Sequence, residues 1–263
     1  MTPAFISALS DLVQISHQAL LAGFFVFLRV GAAVALLPVF GEQSVPPKVR
    51  LALALCLTVV VAPSVSDQIA PLLASDQVIG LPLATEVIAG LAIGMALRLF
   101  VLALQMAGTI IAQATSLSQF FGGAGVEPQP AIAQLLVVSG LALAVMAGLH
   151  VRMVEMIVLS YYLMPPGAFP NPGEVADWGL TQVARAVVLA FSLAAPCLIA
   201  ALIYNVALGV INRAMPTLMV SFIGAPALAL GGLVFLLLVL PLALGLWIGA
   251  FVAFLNDPFG AAP

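Results

Sequence analysis

The chain predicts an all-α, polytopic membrane protein with about six long hydrophobic helices, and three observations carry that prediction. Only 7 basic and 10 acidic residues stand among 263. Hydrophobic residues make up 64% of the chain, and its mean hydropathy is +1.26. Soluble domains have about a quarter of their residues charged. At 6% charged, this chain cannot cover a globule with a water-compatible surface and must be surrounded by lipid or apolar protein. Finally, the apolar residues come in long runs separated by turn-forming residues, and a bilayer-spanning helix needs about 20 mostly apolar residues.

Six such runs can be marked, at 18–40, 50–63, 78–114, 131–150, 183–211 and 217–255, after a milder amphipathic lead-in at 4–17. Glycine, proline and short polar residues separate them, as expected of turns. The first break holds Gly41, Pro46 and Pro47; the second, 63–77, holds Pro63, Ser66, Asp67 and Pro71. The third, 115–130, contains Phe120, Phe121, Gly122, Gly123 and Gly125. The fourth, 164–179, is the most polar; the fifth is short, with Asn212, Arg213 and Pro216. No Lys or Arg precedes Arg29, and Asp11 sits where a signal peptide would need positive charge, so the first helix is expected to stay in the mature protein.

Two runs are too long for a simple span. As ideal helices, 78–114 and 217–255 would each exceed about 50 Å, against a hydrocarbon core of about 30 Å. Either they break or they continue outside the membrane against protein. Gly94 and Gly108 are candidate breaks in the first; Gly224, Pro226, Gly231, Gly232 and Pro241 are expected to interrupt the second. Small residues also recur every four positions, at Gly90 and Gly94, at Gly140, Ala144 and Gly148, and at Gly245 and Gly249. That spacing lets two helix backbones approach closely.

The few polar residues inside apolar runs raise the question of function. An Arg at the centre of a span costs about 3 kcal/mol on insertion scales. Arg29 either snorkels or pairs with a carbonyl inside the bundle, or else serves a subunit contact. Arg98 poses the same problem, and Glu86, about 18 Å away along a straight helix, cannot be its partner within the helix. Cys56 and Cys197 lie in apolar runs without a CxxC pair and read as small buried hydrophobes. No catalytic, cofactor or metal motif appears, which argues against an enzyme. The absence of a basic run argues against nucleic acid as a partner. A small-solute secondary transporter is the alternative class. It would place polar groups at the membrane midplane, whereas the acids here lie near helix ends or in loops.

The order of several short motifs is more specific. Arg29-Val30-Gly31, Pro38-Val39-Phe40-Gly41, Val45-Pro46 and Arg50-Leu51-Ala52-Leu53 resemble the N-terminal signature of the FliR-type flagellar export-gate proteins. That family includes the equivalent subunit of virulence type III secretion systems. The similarity continues through Glu86, Gly90 and Gly94, through Gln105-Met106-Ala107-Gly108, and through Ser160-Tyr161 with Pro166-Gly167. It is strongest from Leu208 through Asn212-Arg213-Ala214-Met215-Pro216, followed by Gly224-Ala225-Pro226. The chain departs from the family at Glu127-Pro128, where Asp-Pro is common, and at Thr217 to Ser221, where two amide side chains are missing.

The resemblance implies a subunit of a narrow-pored gate in the bacterial inner membrane, at the centre of the flagellar basal body. The gate would be built with several copies of two smaller polytopic partners, and unfolded export substrates would pass through it. A substrate-specificity switch protein would dock on the cytoplasmic side. The chain would resemble a fusion of a four-helix and a two-helix partner, dividing at 1–180 and 181–263. The assembly would be raised out of the membrane plane, so that many apolar helices touch protein. Phe120, Phe121, Gly122, Gly123 and Gly125 would form a pore plug within 115–130. Arg29, Pro38, Pro46, Arg50, Glu86, Arg98, Asn212, Arg213 and Pro216 are the assembly or gate candidates.

With six spans, loops 41–50, 115–130 and 211–217 share one side, with Lys48, Arg50 and Arg213; Arg152 and Arg185 lie at the other. The positive-inside rule puts the first side in the cytoplasm. An impermeant thiol reagent on intact cells is expected to label Glu174→Cys and spare Arg213→Cys; the opposite pattern reverses the topology.

Overall fold

The computed structural model describes residues 3–42, 45–74, 80–114, 131–214 and 220–260, with the side chains of 3–11, 15 and 220–229 set aside. Among them are eight helices and no strand. They are α1 (Pro3–Leu36), α2 (Pro47–Ser64), α3 (Ser66–Leu73), α4 (Leu81–Ala114), α5 (Ala131–Met146), α6 (Leu149–Leu163), α7 (Pro172–Ala214) and α8 (Val220–Asn256). Five are long and apolar enough to cross a membrane, and α5 with α6, taken as one bent pair, makes six. The all-α membrane class and the count of about six therefore stand.

Local chemistry explains several boundaries. α1 stops just before Leu37-Pro38, because a residue that precedes proline is pushed out of the helical region. Pro47 opens α2 at N1, where its missing N–H costs nothing. Gly148, at φ +80°, separates α5 from α6 in a left-handed conformation that glycine takes without strain.

Other expectations are corrected. The stretch 63–77 is not all turn, since α3 occupies Ser66–Leu73. The polar stretch 164–179 is helical from Pro172 onward, so α7 reaches 43 residues, about 65 Å. α6 was missed by the apolar runs because Arg152 and Glu155 dilute its start. α4 does not break at Gly94 or Gly108, and α8 runs through Gly224, Pro226, Gly231, Gly232 and Pro241. Where neighbouring groups satisfy the freed backbone, proline and glycine are tolerated inside apolar helices. Cys197 is buried as expected, but Cys56 is exposed on α2.

The chain forms two compact units. The first comprises Met1–Arg98 and Gly148–Leu180; the second comprises Leu99–Ala147 and Thr181–Pro263. They are drawn by packing, whereas the division at 180/181 was drawn by likeness to two partner types.

In the first unit α1 lies directly on α4. A Cβ added at Gly90 would overlap the carbonyl oxygen of Arg29 and come within 2.8 Å of the Ala32 Cβ; one at Gly94 would come within 2.7 Å of the Ala33 oxygen. The two glycines thus let the backbones touch. In the second unit, Gly108 makes the same kind of contact with the Ala133 backbone, and Gly140 fits against Leu104 and Trp247. Trp247 stacks on Phe251 at 5.1 Å and donates its indole N–H to the Phe100 carbonyl at 2.9 Å. Phe100 meets Phe251 edge-on at 5.3 Å. A Cβ at Gly245 or Gly249 would meet nothing within 4 Å among the described residues.

Overpacking a tight site costs about 1–3 kcal/mol. Gly90→Ala is expected to destabilise the purified chain by at least that much, because backbone rather than a flexible side chain stands in the way. Gly245→Ala should be neutral or slightly stabilising. Thermal unfolding in one detergent compares them, and equal effects would contradict the close α1–α4 approach.

Candidate functional site

The polar centre of the first unit is built on the glycine contact just described. Glu86, Gly90 and Gly94 follow at four-residue intervals and share one face of α4. The two glycines bring α1 close, which sets the Glu86 carboxylate opposite Arg29. The pair is bidentate: Arg29 Nε donates to Glu86 Oε2 at 2.8 Å, and Nη2 donates to Oε1 at 2.9 Å. Nη1 donates to Ser160 Oγ at 3.0 Å, and Nη2 also donates to the Met164 carbonyl at 2.9 Å. The Tyr161 hydroxyl donates to Glu86 Oε2 at 3.1 Å, and its ring lies 3.7 Å from the Arg29 guanidinium carbon. Ser160 in turn donates to the Ile157 carbonyl at 2.6 Å.

Arg29 is 1% exposed and Glu86 0%. Burying two charges costs several kcal/mol each, which only good geometry and further hydrogen bonds can offset. Both conditions are met, since four of the five guanidinium N–H groups and both carboxylate oxygens are engaged. Cation–π stacking on Tyr161 adds to this. Within the chain, Arg29 pairs with Glu86, and the Met164 carbonyl is one of several further acceptors. α1, α4 and α6 are tied at one point. A network this nearly saturated, with both partners buried, is suited to bracing the three helices.

A second polar cluster closes the turn after α1. Glu42 Oε1 accepts from Arg98 Nη1 in a part-buried ion pair, so the partner of Arg98 comes from another segment, as its distance from Glu86 required. Arg50 donates from Nε to the Val45 carbonyl at 3.1 Å and from Nη2 to the Glu42 carbonyl at 2.8 Å. Pro38 is buried beneath this turn, and Val39 holds φ at +71°. For a β-branched residue that conformation is a true outlier, of order 1–3 kcal/mol. It persists because Arg98 and Arg50 hold the residues that follow it.

Among the sequence candidates, then, Arg29 meets Glu86, while Arg98 and Arg50 meet at Glu42. Pro46 is exposed beside this turn; Asn212 and Arg213 are exposed at the end of α7. Phe120, Phe121, Gly122, Gly123, Gly125 and Pro216 lie outside the described residues. Glu42, as well as the contacts made by Ser160, Tyr161 and Trp247, went unassigned by sequence reasoning. The available signals were an acid in the same break as Arg50, and an indole N–H in an apolar run that must find an acceptor. Among the described residues no group of three His, Cys, Asp or Glu is placed to hold a metal.

Comparison with known proteins gives a consistent result. A family model described as "Bacterial export proteins, family 1" matches residues 20–253. The flagellar biosynthetic protein FliR of Caulobacter vibrioides is 34% identical over 210 residues, covering 79% of this chain and 84% of that protein. FliR of Escherichia coli K12 is 29% identical over 223 residues, with 83% and 84% covered. FliR of Bacillus subtilis is 28% identical over 210 residues, with 76% and 79% covered.

Removing one member of a buried ion pair costs about 3–5 kcal/mol, because the other charge is left uncompensated. Arg29→Leu and Glu86→Gln are each expected to lose that much, although both lower the cost of membrane insertion. A double-mutant cycle read by thermal unfolding checks it: the paired change should be much milder than the sum of the singles. Strict additivity would mean that the two residues do not interact.

Proposed function

The chain belongs to family 1 of the bacterial export proteins, and from that premise we propose that it is a subunit of the flagellar type III protein export gate. In this reading it forms part of the pore through which unfolded substrates enter, in the inner membrane at the basal body. It works as a conduit rather than an enzyme. Its partners are two smaller polytopic gate subunits, and the substrate-specificity switch protein docks on its cytoplasmic side.

The observation that carries the reading is the family match across 20–253, joined to the flagellar proteins that match over most of their length. The internal chemistry supports it. A secondary transporter needs ionisable groups that face a water-filled path. The one deeply buried acid, Glu86 among the described residues, has both oxygens taken by Arg29 and Tyr161. The long apolar faces of α7 and α8, with Phe191, Leu202, Ile203 and Val210 exposed on one and Leu237, Leu238 and Leu242 on the other, suit a subunit packed among other apolar helices. Affinity purification in mild detergent followed by native mass spectrometry tests the assignment. A stable complex with two small polytopic proteins is expected. A monomer or dimer that binds a small solute would favour the transporter.

Residues 115–130 supply the pore plug in this reading. Phe120 and Phe121 close the pore by filling volume and excluding water, while Gly122, Gly123 and Gly125 let the segment move. Changing both phenylalanines to Ala is expected to leave assembly intact and raise the conductance of the purified complex in planar bilayers. A double mutant as tight as wild type would place the seal elsewhere.

A further inference from the structure

Within the first unit, α1, α2 and α4 line a groove of about 390 Å³. Its walls are almost wholly apolar. Phe27, Gly31 and Ala35 come from α1 and Leu51 and Ala54 from α2, and the one charged group is Arg50. The volume falls in the usual range for ligand sites, roughly 300–1,000 Å³. A water-filled groove of this composition would be costly, so its natural occupant is apolar.

Arg50 says what else that occupant carries. Two of its nitrogens donate to the carbonyls of Val45 and Glu42, but no carboxylate among the described residues pairs with it. The nearby Glu42 carboxylate is taken by Arg98. Arg50 is therefore a half-buried cation held by two neutral carbonyls, and its remaining nitrogen, Nη1, has no partner among the described residues. It lies in the first turn of α2, an apolar helix whose N-terminus lacks a side-chain cap. Pro47 has no N–H and those of Val49 and Arg50 both go to the Pro46 carbonyl, so it is the helix dipole that favours negative charge at this end. Lys48 is exposed in the same turn. If α2 spans the bilayer, that turn lies at headgroup depth. Val49, Leu55, Val59 and Val60 are exposed along the helix, as expected of a surface that faces acyl chains.

We propose that this groove binds one anionic phospholipid, its phosphate on Arg50 and the start of α2, with an acyl chain lying along Phe27, Gly31, Ala35, Leu51 and Ala54. The occupant is a membrane lipid rather than a free anion, because the apolar groove is continuous with the cation and would stay empty under phosphate alone. Guanidinium suits a phosphate ester well, since its planar fork can give two parallel hydrogen bonds.

The test uses the full chain, purified in mild detergent with whatever subunits accompany it. Native mass spectrometry follows retention of phosphatidylglycerol against phosphatidylcholine of the same chain length. Wild type is expected to prefer phosphatidylglycerol by at least about fivefold, the usual contribution of one cation near an anionic headgroup. Arg50→Gln should abolish the preference and Arg50→Lys should keep most of it. Ala35→Leu, which fills the groove and leaves the cation in place, should weaken retention of both lipids, and millimolar inorganic phosphate should displace neither. Equal retention of the two lipids by wild type, or unchanged phosphatidylglycerol binding in Arg50→Gln, overturns the proposal. Should Arg50→Gln fail to fold, unchanged retention in Ala35→Leu overturns it by itself. Photocrosslinks from position 51 to a partner's helix, in place of lipid, would identify the groove as a protein interface and overturn it too.

Discussion

A buried guanidinium is the group whose needs organise the first unit. Arg29 places a guanidinium, 1% exposed, in an apolar helix. It needs a carboxylate, more acceptors than one carboxylate provides, and a path that brings them within 3 Å. Glu86 meets the first need, Ser160 and Met164 the second, and the glycines of α4 the third. Each depends on the others. A Cβ at Gly90 would press on the Arg29 carbonyl and push the two charges apart, and at that depth a lengthened ion pair is a liability rather than a weaker bond.

The turn after α1 follows a related logic at lower burial. Val39 would not hold a positive φ by itself, and the two arginines that grip Glu42, one through its carboxylate and one through its carbonyl, stabilise the distortion. Among the described residues, that use of Glu42 leaves Arg50 without a carboxylate partner, so a local solution for the turn sets a cation beside an apolar groove. In a chain with so few charges, each pairing determines what the remaining charges lack.

The second unit is ordered by a different interaction. Among the described residues, its core is marked by aromatic rings: Trp247 stacks on Phe251, Phe100 meets Phe251 edge-on and Phe254 at a tilt, and a single indole N–H fixes the depth at which α8 meets α4. Lipid does not drive apolar helices together as water does, so close packing and a few polar contacts must hold them. Gly108 against Ala133 and Gly140 beneath Leu104 provide the first; Trp247 provides the second. The exposed apolar faces of α7 and α8 leave most of their area for lipid or for other subunits.

The sequence by itself determined the environment of the protein and the class of its fold, because composition is a sum over residues and needs no geometry. It also determined that Arg98 needed a partner from another segment, since the rise of a helix is known without a structure, and it left Arg29 open between snorkelling, a carbonyl in the bundle and a subunit contact. It carried the family through the order of short motifs. It did not determine which partner each arginine takes. Arg29 and Glu86 are 57 positions apart, Arg29 and Ser160 131 apart, and Arg98 and Glu42 56 apart, and local periodicity holds no record of such pairings. Nor did it separate a glycine that breaks a helix from one that lets two helices touch. Gly148 does the first and Gly90 the second, in the same kind of apolar run. Only tertiary structure made that distinction, because it depends on what stands where the missing Cβ would be.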